Sequence, residues 1–325
     1  MAFPNSGAGT TPPIYPTGSA SNGLKAAGFI PEIWSGKLVE KFYAATVLAA
    51  ISNTDYEGEI KNQGDTVKIR TKPTITIRDY LADGLLQLER PKGSVIDLLI
   101  DKGKYFNTIL DDVMEVQSDL DNLSMWSDDA SEQMKIVIDT EVLTALYDKA
   151  DAKNKGLTAG KVSSSINLGA TTTPLAVSNT PGTPAGSVGV IDVILRLGQA
   201  LDEQNIPENG RWLIIPAWFS TMIKLSELRQ AYLSGDAVSM LRNGRIGMVD
   251  RFTVYVSNLL PAGVAAGVAA GETVVYAGHP HGLTFASQIN NVETLRSEMT
   301  FGQILRGLQV YGYKVIDATA IAQAV

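Results

Sequence analysis

Cysteine is missing altogether, and histidine nearly so, with two in 325 residues. Without cysteine there is no disulfide framework, no thiolate metal site and no cysteine nucleophile. That usage suits a reducing cytoplasm. A basic balance is lacking too: 34 acidic against 27 basic residues give a net charge of −7, with no Lys/Arg run. Groove reading of DNA or RNA is not expected, because neutralising phosphates needs a basic footprint. Long hydrophobic runs are also absent. Residues 259–271, the longest uncharged apolar-rich stretch, are too few to span a bilayer and are broken by glycine. The first twenty residues have neither a positive n-region nor an apolar core, so they do not read as a signal peptide.

Catalytic motifs are equally scarce. There is no G-x-S-x-G elbow, no Walker A loop and no G-x-G-x-x-G after a strand. His279 and His281 flank Pro280, a spacing that reads as a turn between strands rather than a metal site, which would need further ligands. Asp119, Asp121 and Asn122 echo a calcium loop but lack its sixth-place glycine and closing glutamate, so helix capping explains them better. Asp111 and Asp112 read as loop or cap residues. Pairs of carboxylates are common among 34 acidic residues and single out no hydrolase. No catalytic residue, cofactor or metal is expected.

What is present is a chain of about two domains with 45 % hydrophobic residues. Residues 118–150 read as one long helix. Met134, Val137, Ile138, Val142, Ala145 and Leu146 recur at three- and four-residue spacing, extended backwards by Leu120, Leu123 and Ala130. Such a helix would be about 50 Å long. It reads either as a spine for something laid across it or as an ordinary core helix. Residues 66–78 alternate, with Val67, Ile69, Pro73, Ile75 and Ile77 set against Lys68, Arg70, Lys72, Thr74, Thr76 and Arg78. Residues 94–106 alternate likewise, Ile96, Leu98 and Ile100 against Asp97, Leu99 and Asp101. Together they predict a long two-stranded hairpin with one basic and one acidic strand and a loop over 79–93. A lone ribbon is marginal in water, so it must lie on its own subunit or on another molecule.

The N-terminal run to about residue 30, rich in Gly, Pro, Ser and Thr, reads as an extended arm, and a helix-like spacing follows over 33–52. Residues 178–187 have the composition of a surface loop. A second unit then follows: a helix over 190–205 (Ile191, Ile194, Leu195 and Leu201 on one side), a buried strand at 211–216, a helix at 217–225 and a strand at 252–257. Strands are expected at 273–277, 283–288, 291–299 and 303–316, with glycines 302, 307 and 312 as candidate bends. The order gives an α+β fold class.

Several segments, in this order, resemble the major capsid proteins of tailed phages with the HK97 fold, in particular the group of the phage P22 coat protein. They are Phe29-Ile30-Pro31-Glu32-Ile33-Trp34-Ser35, Gly64-Asp65-Thr66-Val67-Lys68-Ile69, Ile109-Leu110-Asp111-Asp112-Val113 and Gly210-Arg211-Trp212-Leu213-Ile214-Ile215-Pro216. Asn243-Gly244-Arg245-Ile246-Gly247 and Val310-Tyr311-Gly312-Tyr313-Lys314-Val315 follow. The resemblance covers nearly the whole chain. It implies an arm over 1–30, a peripheral (P) domain starting at 31–63, an E-loop over 64–106, P domain over 107–186 with its spine, an axial (A) domain over 187–286, P-domain strands over 287–316 and a C-terminal strand over 317–325. It departs from P22 in lacking a large inserted domain, and no motif identifies a covalent crosslink. The implied function is self-assembly, as hexamers and pentamers, into an icosahedral head around double-stranded DNA. Portal, scaffolding or decoration proteins are implied partners, membranes are not, and assembly would take place in the host bacterial cytoplasm. Val67, Lys68, Arg70, Ile75, Ile77, Arg78, Asp97 and Asp101 are the expected inter-subunit contacts. Other readings of the same residues are an encapsulin-like compartment, a soluble oligomeric hydrolase working through carboxylates, and a glycan-binding surface protein.

Overall fold

Arg211–Ile215 holds five consecutive buried residues, a run without alternation. A strand of that kind needs cover on both faces. It is β6, the middle strand of a five-stranded mixed sheet in the order β12-β9-β6-β8-β7. Here β7 is Met248–Val249, β8 Phe252–Val256, β9 Val275–Gly278 and β12 Ile321–Ala324. β6 runs parallel to β8 and antiparallel to β9. One face is covered by two helices, α3 (Val190–Glu203) and α4 (Ala217–Leu225), which bury Ile194, Leu197, Leu201, Phe219 and Ile223 against Leu213, Ile215 and Phe252. On the other face Trp212, Ile214 and Tyr276 meet Ile138, Val142, Leu143 and Leu146 of a long helix.

The computed structural model describes residues 43–44, 46–55, 66–73, 75–79, 88–112, 122–179, 185–226, 247–263, 271–298 and 300–325. All lie in one compact unit, Phe42–Val325. The predicted arm over 1–30, the turn at 243–246, Leu120, Asp119 and Asp121 lie outside the described residues.

The long helix, α2, runs Asn122–Ala145, and a short one, α1 (Leu48–Ile51), packs beside it. The buried face of α2 is set by Ile138, Asp139, Val142 and Leu143 and is continued by Leu146 just past its end, whereas Val137 is 46 % exposed. The stripe is centred between the 138/142/146 and 139/143 rows, which turns position 137 outward. Leu195 of α3 is likewise exposed, not on the packed side with Ile194 and Leu201. The helix stops at Ala145 rather than 150: Leu146–Asp148 form a turn, and Asp148 takes a left-handed φ of 62° that no helix interior accepts.

The hairpin is shorter than predicted. β1 (Thr66–Arg70) pairs antiparallel with β2 (Val95–Leu99), and one more backbone bond, Thr71 N–H to Ser94 O at 2.9 Å, follows. Among the described residues the ladder stops there. Pro73, with no amide hydrogen, stands two residues on. The predicted second strand divides: Lys102–Asp111 is a separate strand, β3, in a three-stranded sheet of order β10-β11-β3. The chain passes from ribbon to sheet at Ile100 and Asp101. Gly312 permits this, because a Cβ there would drive into the Leu99 carbonyl and the Ile100 backbone. β10 (Leu283–Arg296) is one strand with a bulge between Ser287 and Ile289, where two strands were expected, and β11 is Gly302–Val315.

Residues 151–176 are more than connection. Ala159, Ile166 and Leu168 are buried in the core under α3, and Asn154 donates to the Thr319 and Ile321 carbonyls at 2.6 and 3.0 Å. Two short parallel strands, β4 (Val177–Ser178) and β5 (Val188–Gly189), close the segment.

Candidate assembly interface

The ribbon is rooted in its own subunit and exposed along the described part beyond the root. Ile69, Leu98 and Ile100 are buried against Ala286, with Val67, Ile96, Val310 and Ile316 packed around them. Lys314 Nζ donates to the Asp97 carbonyl at 2.8 Å, a further tie at the root. Beyond Arg70 the picture reverses: Ile75 is 63 %, Ile77 90 % and Leu88 99 % exposed. Thr76 and the Glu89 carboxylate approach at 3.3 Å, the contact that joins the two sides there.

Of the eight predicted contact residues, Val67 is half-buried in the root cluster, while Lys68, Arg70, Ile75, Ile77, Arg78, Asp97 and Asp101 are all exposed. The expected basic-against-acidic pairing is realised in register once, Lys68 opposite Asp97, and Arg70 faces Val95 instead. Among the described residues no ion pair joins the two strands. Lys72, Arg78, Arg90 and Lys92 are exposed toward the tip, alongside Asp79 and Glu89.

A second bare surface was not singled out from sequence: one face of the β10-β11-β3 sheet. Directly opposed residues of antiparallel strands share a face. Tyr105, Leu308 and Asn291 form one row, Asn107, Arg306 and Glu293 the next, and Ile109, Ile304 and Leu295 the third. Tyr105 is 79 % exposed, and Ile109, Leu308 and Leu295 are exposed with it. The Arg306–Glu293 ion pair, at 2.5 Å, crosses the middle row. The period-two pattern of residues 103–109 was the available signal. It was absorbed into the hairpin because 94–106 reads as one continuous strand.

The opposite face of this sheet is locked to α2. Glu141 accepts from Lys102 at 2.7 Å, Lys104 at 2.8 Å and the Tyr311 hydroxyl at 2.9 Å. Burial works to raise its pKa, but these three donors outweigh it and hold the carboxyl at about 2. Burial, and then the carboxylate, push the Tyr311 hydroxyl upward. Lys102 also lies 5.0 Å from the Tyr313 ring centroid. Elsewhere, His279 accepts the His281 amide on Nδ1, and Pro280–Gly282 form the expected turn.

The family model for phage capsid proteins matches residues 98–324. The chain belongs to the phage capsid protein family. No curated protein sequence matches it. Among solved structures, a chain from Mycobacterium phage Che8 is 27 % identical with a TM-score of 0.72, over 91 % of this chain and 97 % of that one. The capsid of cyanophage P-SCSP1u is 14 % identical at a TM-score of 0.69, over 91 % and 92 %. The capsid of a native GTA particle is 12 % identical at 0.64, over 92 % and 96 %. These last two share the fold. The protein is thus a phage major capsid protein with an HK97-like α+β fold, a self-associating structural component of the icosahedral head, and not an enzyme. The encapsulin and hydrolase readings give way to it.

Proposed function

We propose that the subunit is a tile of a tailed-phage head enclosing double-stranded DNA, and that neighbouring copies cover the ribbon tip and the open sheet face. The carrying observation is the contrast along one ribbon: a root sealed by Leu98 at 0 % exposure and a tip with Ile77 at 90 %. An aliphatic tip held away from its own core is a cost to a lone subunit, and a contact in a lattice. Lys68, Arg70, Ile75, Ile77, Arg78, Asp97 and Asp101 are the contact residues of this reading. Val67 serves the root.

In the nomenclature of the fold, we assign 64–101 to the E-loop, 102–186 and 283–316 to the P domain and 187–282 to the A domain, because Lys102–Asp111 and Leu283–Arg296 are single strands across the expected bounds at 106 and 286. The strand at Ile321–Ala324 supports extending the A domain, since it pairs with β9 of the same sheet. Hexamers and pentamers, a portal, scaffolding or decoration partners, and assembly in the host bacterial cytoplasm follow from the same reading. Placement in the P22 group rests on the order of sequence segments. The net charge of −7 suits an inner wall that encloses DNA without gripping it. Electron microscopy of the purified chain, with a nuclease-protection assay on particles from infected cells, tests the proposal. Closed shells holding protected DNA are expected; discrete small oligomers would end it.

A further inference from the structure

Asp139 is the charged-type residue of α2 that its surroundings treat worst. It is 1 % exposed and sits between Ile138 and Val142 on the packed face. Its Oδ2 accepts the Val47 amide at 2.8 Å, and the Leu48 amide also faces the carboxyl. Its Oδ1 has no hydrogen-bond partner among the described residues. Among the described residues no cation pairs with it. Lys135, one turn earlier and lining the same cleft, is committed to Glu132 at 2.6 Å. On the 43–55 segment the titratable groups are Tyr43, which donates to Asp129, and Asp55. From β10 and β11 the cleft receives Phe285 and Gln309, neither of them charged. Glu141, on the same helix, is held by Lys102 and Lys104.

A carboxylate in that position has two amides for it and desolvation by burial against it. A neutral acid keeps the Oδ2 acceptor for Val47 and gains a donor on the oxygen that otherwise has none. Hydroxyl and amide groups of Thr46, Ser52, Thr54 and Gln309 line the adjoining cleft. We propose that the tie between α2 and the 46–52 segment is a proton-operated latch, shut while Asp139 is a neutral acid and loosened when it ionises. The latch closes a contact between residues 92 apart in sequence. It stands among the first described residues of the Phe42–Val325 unit, so ionisation loosens the hold of the spine on the 46–52 segment.

Burial raises the Asp139 pKa above the usual carboxylate value of 3.8, and the amides offset this only in part. The folded state therefore holds the proton more tightly than the unfolded one. Its contribution is fully present below the ordinary carboxylate pKa and is lost as pH rises through the raised one. This is opposite in sign to the Glu141 clamp.

The test is hydrogen exchange of the full-length subunit across the weakly acid to weakly alkaline range, read as protection factors for residues 46–52 after correction for intrinsic exchange. Wild type should lose up to about tenfold protection per pH unit above the folded pKa. Asp139→Asn, neutral and nearly isosteric, should stay protected throughout. Matching pH profiles in the two proteins would overturn the latch. So would loss of protection in Asp139→Asn at every pH, since the negative charge would then be what holds the segment. If that variant does not fold, infrared spectroscopy of wild type decides. A carboxylic-acid carbonyl band that fades with pH in step with protection supports the proposal, and its absence wherever the segment is protected overturns it.

Discussion

Ile75→Asp combined with Ile77→Asp should abolish shell formation and leave the subunit folded. The two side chains are 63 % and 90 % exposed, about one and a half large aliphatic groups of area still open to burial. At about 1.5–3 kcal/mol per fully buried side chain, the contact loses about 2–5 kcal/mol, before any cost of desolvating two carboxylates. That weakens each contact by about 30-fold to several-thousand-fold. Every subunit in a closed shell repeats the loss, so assembly should move beyond any practical protein concentration. Subunit stability should change by less than about 0.5 kcal/mol, because neither residue packs in the core. Sedimentation and electron microscopy read the assembly, and a thermal melt reads the fold. Shells forming at the wild-type concentration would refute the reasoning. So would a melt lowered by several degrees, which would put the tip inside the subunit's own core.

Three further outcomes are expected. Glu141→Gln removes the charge gathered by Lys102, Lys104 and Tyr311 and should cost about 1–3 kcal/mol in denaturant unfolding at neutral pH. Because that carboxyl is lowered from 4.5 to about 2, its contribution is whole above pH 4.5 and fades as pH falls toward 2; a mutant-to-wild-type difference that persists unchanged in acid would contradict this. Gly312→Ala would push a Cβ into the Leu99 carbonyl and should cost about 1–3 kcal/mol, visible as a lower melting temperature. Leu143→Ala empties a fully buried site between α2 and the central sheet and should cost about 2–5 kcal/mol by the same measurement.

The elements legible in the sequence are those whose burial is one-sided or complete. The α4 span 217–225 and the strand at 211–215 were read at almost their final bounds, since an apolar run from Trp212 to Ile215 and a Pro216 boundary leave few alternatives. Val137 and Leu195 misled because a periodic stripe fixes a face to within about one residue's rotation, while the packing partner decides its centre. The split of residues 94–111 was hidden for another reason. Alternation persists across the passage from ribbon to sheet, and the glycine that permits the close approach there, Gly312, is more than two hundred residues away. The burial of Ala159, Ile166 and Leu168 left no pattern because these residues are held by loop bonds such as the paired backbone bonds between Ala159 and Ile166, not by periodic elements. Of the candidate interface, sequence alternation flagged the ribbon. The open sheet face emerged only with the strand order.

The way the ribbon is mounted has a mechanical consequence. Its base shares buried side chains with β10 and β11, so swinging it as a whole means unpacking Leu98 and Ile69. Among the described residues its far part, past the Thr71–Ser94 bond, is held by the Thr76 amide and hydroxyl donating to the Glu89 carboxylate. In the proposed head of hexamers and pentamers, one chain fits places of unequal curvature. Compliance for that fit belongs at the outer end, where bending breaks little, while the stiff base keeps every copy reaching in the same direction.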